Sequence, residues 1–361
     1  MVSTDELLAT VRQKIRGQKA TIPDLYALFP DWKPVIHPGY ERARHEVLNP
    51  WIERWVPNRA TSRKFQKADF GVFAAIICAR SSFEVLCTVS KAFAWASQNR
   101  LADVSPTLFD CGILANDKDK AQEYRAQPIQ YFHAVLGEKD DFPNLTCFPE
   151  ELQHALLCWN EVADHIRSAR SKDTLKVLLR QKLYYVESVN TVDTVYSGNH
   201  VPSLKQYLNR RERTAGVYPV IATIPFIYGI DVSQQQLDSE PMQSLWKHTS
   251  HLVHMINDMF SLRKEIADGQ IENLIPVLML NNDVDCDTAM KWAVKLVEEA
   301  AQSFHDIERH LQGLHSDNHE ITAAFLEGCK NVVMGLTHWN YAGQRYFHNS
   351  EIVDGKITFK V

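Results

Sequence analysis

Apolar positions in this chain recur at three- and four-residue intervals, and short polar or proline-bearing breakers cut the pattern into helix-length pieces. The pattern predicts helices over residues 5–15, 40–55, 68–93, 117–136, 150–170, 174–195, 204–213, 216–230, 241–266, 287–312 and 320–347. The second of these is expected to stop before Pro57, because the residue ahead of a proline is driven out of the helical region. Residues 30–38, which hold Pro30, Pro34 and Pro38, read as a loop, and 96–112 read as irregular. No strand-turn-strand spacing interrupts the series. Helices this apolar must bury faces against one another. The expected fold is therefore all-α, a single-domain helical bundle over 1–361 with 1–20 and 349–361 peripheral.

One polar stripe breaks the apolar background. Residues 257–265 read Asn-Asp-Met-Phe-Ser-Leu-Arg-Lys-Glu, and Asn257, Ser261 and Glu265 recur every four positions. On a helix they fall within an arc of roughly 80°. An amide oxygen, a hydroxyl and a carboxylate form a hard-oxygen set suited to Mg²⁺. Lys264 falls about 20° from Asn257 on the same wheel, so a cation stands beside the candidate metal site. Mg²⁺ is usually completed by substrate phosphates, which points to a phosphate ligand. A solvated polar face is the plainer alternative. Leu252, Val253, Met255, Ile256, Met259, Phe260 and Leu262 surround the stripe and argue against it.

Composition narrows the function classes. Hydrophobic residues make up 45% and charged residues 23%, as in ordinary globular chains. A net charge of −5 without a basic stripe argues against a nucleic-acid partner. No apolar run approaches the ~20 residues of a membrane span, and the first residues lack a secretory layout. The seven cysteines (78, 87, 111, 147, 158, 286 and 329) show no CxxC spacing. They are expected to be free thiols in a cytoplasmic protein, a monomer or homodimer, with no zinc site. His251 and His254 are expected to pack or to face solvent.

The stripe Asn257-x-x-x-Ser261-x-x-x-Glu265 resembles the second metal motif of class I terpene cyclases, in particular the fungal sesquiterpene type. Three further segments are similar to that family: Tyr207-Leu208-Asn209-Arg210-Arg211-Glu212-Arg213-Thr214-Ala215-Gly216, Asp268-Gly269-Gln270-Ile271-Glu272-Asn273-Leu274, and Trp339-Asn340-Tyr341-Ala342-Gly343-Gln344-Arg345-Tyr346. The tract from Trp32-Lys33-Pro34 to Phe70 also resembles the fungal members, so the likeness spans roughly residues 20–350. Arg211 stands 46 residues before Asn257, as the family separation requires. The resemblance implies a class I terpenoid synthase fold and a prenyl diphosphate substrate, farnesyl diphosphate foremost. It implies up to three Mg²⁺ ions, and a diphosphate held by Arg211, Lys264, Arg345 and Tyr346. It also implies a helix break at Thr214-Ala215-Gly216 that aims a carbonyl at a carbocation. Among Phe70, Phe73, Phe93, Trp95, Tyr185 and Trp339, only Phe73 and Trp339 are expected to line the cavity; the other four read as core.

The chain departs from the family at the first metal motif. Phe109-Asp110-Cys111-Gly112-Ile113-Leu114 resembles its tail, but the two leading aspartates fall on Pro106 and Thr107. Asp110 is the surviving metal-ligand candidate, and a cap or turn aspartate is an equal reading. The stretch 88–108 is either a true divergence or translated non-coding sequence. Two functions stay open: a Mg²⁺-dependent cyclase, and an impaired relative that binds diphosphate or serves as a helical interaction protein. A chain-elongating prenyltransferase is disfavoured, because such enzymes carry two aspartate-rich motifs.

Overall fold

A computed structural model describes residues 4–98, 118–137, 142–190, 201–268, 272–313 and 319–361. Asp110, with Pro106 and Thr107, lies outside the described residues. Three long helices form the frame: Glu240–Ala267, Cys286–Gly313 and His319–Ala342. The first packs along both of the others, and the short, wholly buried helix Phe70–Ile77 packs on the last. Lys172–Asn190 and Leu204–Thr214 close the bundle on the opposite side.

Helix starts follow local chemistry. Ser203 opens Leu204–Thr214 with a capping box: its hydroxyl accepts from Gln206 N, and the Gln206 side chain accepts from Ser203 N at 2.9 Å. Asn58 caps Arg59–Ala68 by accepting from Thr61 N at 3.0 Å.

The continuous helix expected over 68–93 is divided in two, Phe70–Ile77 and Phe83–Gln98, and a separate helix, Arg59–Ala68, ends where it was expected to begin. Asp69 sits at that junction with φ 48°, a left-handed conformation that aspartate tolerates. Its carboxylate is held there by the Tyr40 hydroxyl and by Arg44 at 3.3 Å. The segment expected over 216–230 likewise divides, into Val217–Ile221 and Ile224–Tyr228, with Pro225 in the first turn of the second.

Near the two ends the chain pairs as a sheet of strands β1 (Lys19–Ile22), β2 (Ile352–Val353) and β3 (Lys356–Lys360), in the order β1-β3-β2. Both pairings are antiparallel, with Lys19 opposite Lys360 and Ile22 opposite Ile357. Ala20, Ile22, Ile357 and Phe359 are buried against the bundle. The Tyr341 hydroxyl binds this sheet to the last long helix, accepting from Leu25 N at 3.0 Å and lying 3.1 and 3.0 Å from the carbonyls of Pro23 and Gly355. Alternation does run through Ala20-x-Ile22 and Ile357-x-Phe359. It is too short to stand out from a helical background. Among the described residues no helix is long and apolar enough to cross a membrane.

Candidate active site

Glu240–Ala267 carries the polar stripe on one face and its anchor on another. Asn257 is partly buried and donates its amide to the Tyr346 hydroxyl at 3.3 Å, which leaves its carbonyl oxygen for another ligand. Ser261 is 1% exposed, and its hydroxyl has no hydrogen-bond partner among the described residues. A buried hydroxyl left unpaired costs about 1–3 kcal/mol, so the position suits an oxygen waiting for a ligand. Glu265 accepts from the Asn273 side chain at 2.9 Å and keeps its other carboxylate oxygen. The set fits a hard cation. It contains only one carboxylate and no His or Cys, and no cluster of three His, Cys, Asp or Glu occurs among the described residues.

Asp258, one residue on, turns away from the stripe and fixes the wall behind it. Its buried carboxylate accepts from the Tyr207 hydroxyl, from Arg211 Nη2 at 3.1 Å and from Leu274 N at 3.0 Å. Burial pushes this carboxyl up and Arg211 offsets part of the rise, which leaves it at about 6. Three donors keep it ionised at neutral pH. Burial and then Asp258 push the Tyr207 phenol well above its usual range, so it stays a donor. Asn273 joins the two faces: its amide donates to Asp258 O at 2.7 Å as well as to Glu265, while its carbonyl caps Leu274–Asn282 through Ile275 N. The partly buried pair Arg210–Glu272, at 2.5 Å, braces the same corner.

A cavity of about 160 Å³ opens in front of this wall. Arg211, Asn257, Arg345 and Tyr346 line it together, from three distant stretches of chain. The Arg345 guanidinium lies 5.8 Å from the Phe70 and Trp339 ring centres and 5.5 Å from that of Tyr346. Phe70 stacks on Trp339 at 4.8 Å, and Trp339 donates its indole N–H to Ala68 O. Phe73 lines the cavity because Gly335 gives way to it: a Cβ there would stand 2.7 Å from the Phe73 ring. Ala215 and Gly216 line it as well, where Gly216 (φ 74°) separates Leu204–Thr214 from Val217–Ile221.

Not every expected residue reaches the cavity. Thr214 is not in its wall; its hydroxyl bonds back to Arg210 O at 3.3 Å. Lys264 is half-exposed and turned to Asp268, one helical turn on, so the wheel angle placed its backbone near the stripe but not its ammonium. The sequence reading was also too narrow on the apolar side. Phe70, Phe93, Trp95 and Tyr185 all line the cavity beside Phe73 and Trp339. Two polar residues of the wall were not expected there: His254 was read only as packing or facing solvent, and Lys182 was not singled out. His254 is buried in the cavity wall with neither ring nitrogen partnered, and burial, with Arg211 nearby, holds it well below the usual histidine range and neutral. Lys182 is buried there too, and a signal for it existed: it lies on the apolar stripe of Leu175, Leu178, Leu179 and Val186.

The family described as terpene synthase family 2, C-terminal metal binding, matches residues 119–303, just over half of the chain. The chain belongs to the terpene synthase family. That span holds Arg211, Asn257, Ser261, Lys264 and Glu265, and the family's description makes it a metal-binding domain. This terpene synthase is 26% identical over 328 residues to terpene cyclase 4 of Gibberella fujikuroi, covering 88% of this chain and 82% of that one. It is 21% identical over 342 residues to sesquiterpene cyclase hepA of Aspergillus oryzae, covering 93% and 91%. Its fold matches that of α-eudesmol synthase with a TM-score of 0.72 at 17% identity, over 86% of this chain and 97% of the other. A linalool/nerolidol synthase from Streptomyces clavuligerus, solved with 2-fluorogeranyl diphosphate, gives 0.68 at 17% identity over 88% and 98%. The architecture is thus the all-α class I terpenoid synthase fold.

Proposed function

We propose that this terpene synthase ionises and cyclises a prenyl diphosphate, farnesyl diphosphate in the first instance, and releases diphosphate and a sesquiterpene. The observation that carries this reading is the joining of two chemistries in one cavity. Arg211, Arg345, Tyr346 and Asn257 gather at a polar wall, and Phe70, Phe73, Phe93, Trp95 and Trp339 provide the rest. Guanidinium groups bind phosphate oxygens through a fork, and the Tyr346 hydroxyl adds a donor. Ring faces stabilise a developing cation by about 0.5–2 kcal/mol each and carry no nucleophile to quench it. Asn257, Ser261 and Glu265 would hold Mg²⁺, with Asp110 the candidate from the facing motif. Bound there, the metal supplies charge neutralisation of the leaving diphosphate. Lys264 joins the diphosphate by exchanging Asp268 for a phosphate oxygen. The free thiols of the described cysteines support a cytoplasmic enzyme.

Incubation with farnesyl diphosphate, with and without Mg²⁺, tests the reading by volatile-product analysis and diphosphate release. Product and diphosphate should form only with Mg²⁺, and Glu265→Gln should lower turnover by about 10–100-fold at limiting metal while leaving helix content unchanged. Turnover by Glu265→Gln equal to wild type at limiting Mg²⁺ would remove the stripe from the site. Absence of any prenyl diphosphate turnover by wild type would sink the function.

A further inference from the structure

Lys182 is out of place in a hydrocarbon cavity. It comes from the helix Lys172–Asn190, is 6% exposed, and helps to line the cavity wall. Its ammonium nitrogen stands 4.7 Å from the Trp95 ring centre, 5.0 Å from that of Trp159 and 5.7 Å from that of Phe132. Phe132 packs edge-to-face on both Trp95 and Trp159, which tilt against each other at 51°, and the Trp95 indole is pinned to Ala155 O at 2.6 Å. None of them is a ring that Arg345 touches, so the cavity holds two cationic side chains in separate aromatic settings. No carboxylate and no hydrogen-bond acceptor meets Lys182 among the described residues. Burial alone therefore lowers its affinity for a proton, to about 7.

The surroundings leave the amine free to act. On the packed helix Lys118–Val135, the hydroxyls of Tyr124 and Tyr131 are engaged by Leu152 O and Asn160 Oδ1. The Cys158 thiol is pushed far up by burial and stays neutral. Across the cavity Arg211 is paired with Asp258, and His254 is neutral. On Val217–Ile221 the Tyr218 hydroxyl donates to Glu212 at 2.6 Å. A purely structural lysine would pair with an acid or reach solvent, and an apolar side chain would fill the same space at no electrostatic cost.

We propose that Lys182 is a proton-transfer residue of this cavity, its amine ending the reaction by taking a proton from the carbon next to the last cationic centre. The proposal rests on the cyclase reading above. In this step the C–H bond breaks and its electron pair becomes the new C=C bond to the cationic carbon. An N–H bond forms, and the positive charge passes from carbon to nitrogen, over ring faces already arranged to hold a cation. A carbocation beside Lys182 repels a proton on it, so the base is in its active form when it is needed. When the product leaves and water enters, the ammonium gives its proton to solvent.

Wild type, Lys182→Met and Lys182→Arg incubated with farnesyl diphosphate and Mg²⁺ across neutral pH test the assignment, with diphosphate release, product profile and intact protein mass as readouts. Per diphosphate released, the main alkene should fall at least about tenfold in both variants in favour of isomers or alcohols. Arginine keeps the charge on the rings but is no base, so recovery of the wild-type product by Lys182→Arg would show a structural cation and overturn the proposal. An unchanged product from Lys182→Met would also overturn it, as would a prenyl adduct on Lys182, which would make the amine a nucleophile. If Lys182→Met fails to fold, the wild-type product ratio decides: it should change near neutral pH, and a flat ratio overturns the proposal. A wild type that releases no diphosphate fails the cyclase reading instead, and the proposal falls with it.

Discussion

Arg211 and Lys182 line the same cavity and are both largely shielded from water, yet one is anchored by an acid and the other meets only rings among the described residues. Arg211 has Asp258 at 3.1 Å, with Glu272 and Glu265 adding to the field, and its proton affinity is driven well above normal. Lys182 has only ring faces, and burial strips its proton affinity down. Both are largely shielded from water; a partner decides whether such a cation is a fixed charge or a group that exchanges protons. The cavity therefore has a wall of permanent positive charge, suited to a diphosphate, and a separate region where charge is conditional.

The sharpest way to break the contrast is to remove the anchor. Asp258→Asn leaves Arg211 buried and unpaired and should lower unfolding stability by about 3–5 kcal/mol, read by urea or thermal melting. Stability close to wild type would mean that Arg211 is held by something other than Asp258. Lys182→Met should act in the opposite direction, raising stability by about 2–4 kcal/mol at or below neutral pH. The sign follows from proton binding. Between about 7 and the normal lysine value, the unfolded chain holds a proton that the folded chain does not, so wild-type stability rises with pH through that window. Below about 7 the cost is present in full, and Lys182→Met should flatten the slope. A smaller effect is expected at Arg345, which meets rings and has no acidic partner among the described residues. Arg345→Ala should raise KM for the diphosphate and lower kcat/KM by about 1.5–3 kcal/mol, with helix content unchanged. Loss of folding instead would make Arg345 a structural cation of the Phe70–Trp339 stack.

The helical series was legible because apolar spacing repeats over long stretches, and the Asn257-Ser261-Glu265 face was legible because one helix carries all three. What could not be read was direction between elements. Asp258 stands inside the same nonapeptide, but nothing in the sequence says that Tyr207, Arg211 and Leu274 converge on it. Lys264 shows the limit of a wheel: four methylenes let its ammonium leave the face its Cα occupies and settle on Asp268. Lys182 is the reverse case, a position that Leu178, Leu179 and Val186 mark as buried although lysines are mostly exposed.

The sheet that ties the two ends together has a bearing on how the protein can be handled. Arg345 and Tyr346 lie between the Tyr341 hydroxyl and β2, so the strands buckle down the stretch that presents both residues to the cavity. Residues at the far ends of the chain thus belong to the mounting of the active site. An affinity tag set tightly against Val361, or trimming that removes β3, reaches the chemistry through this buckle, and a spacer after Val361 is the safer design.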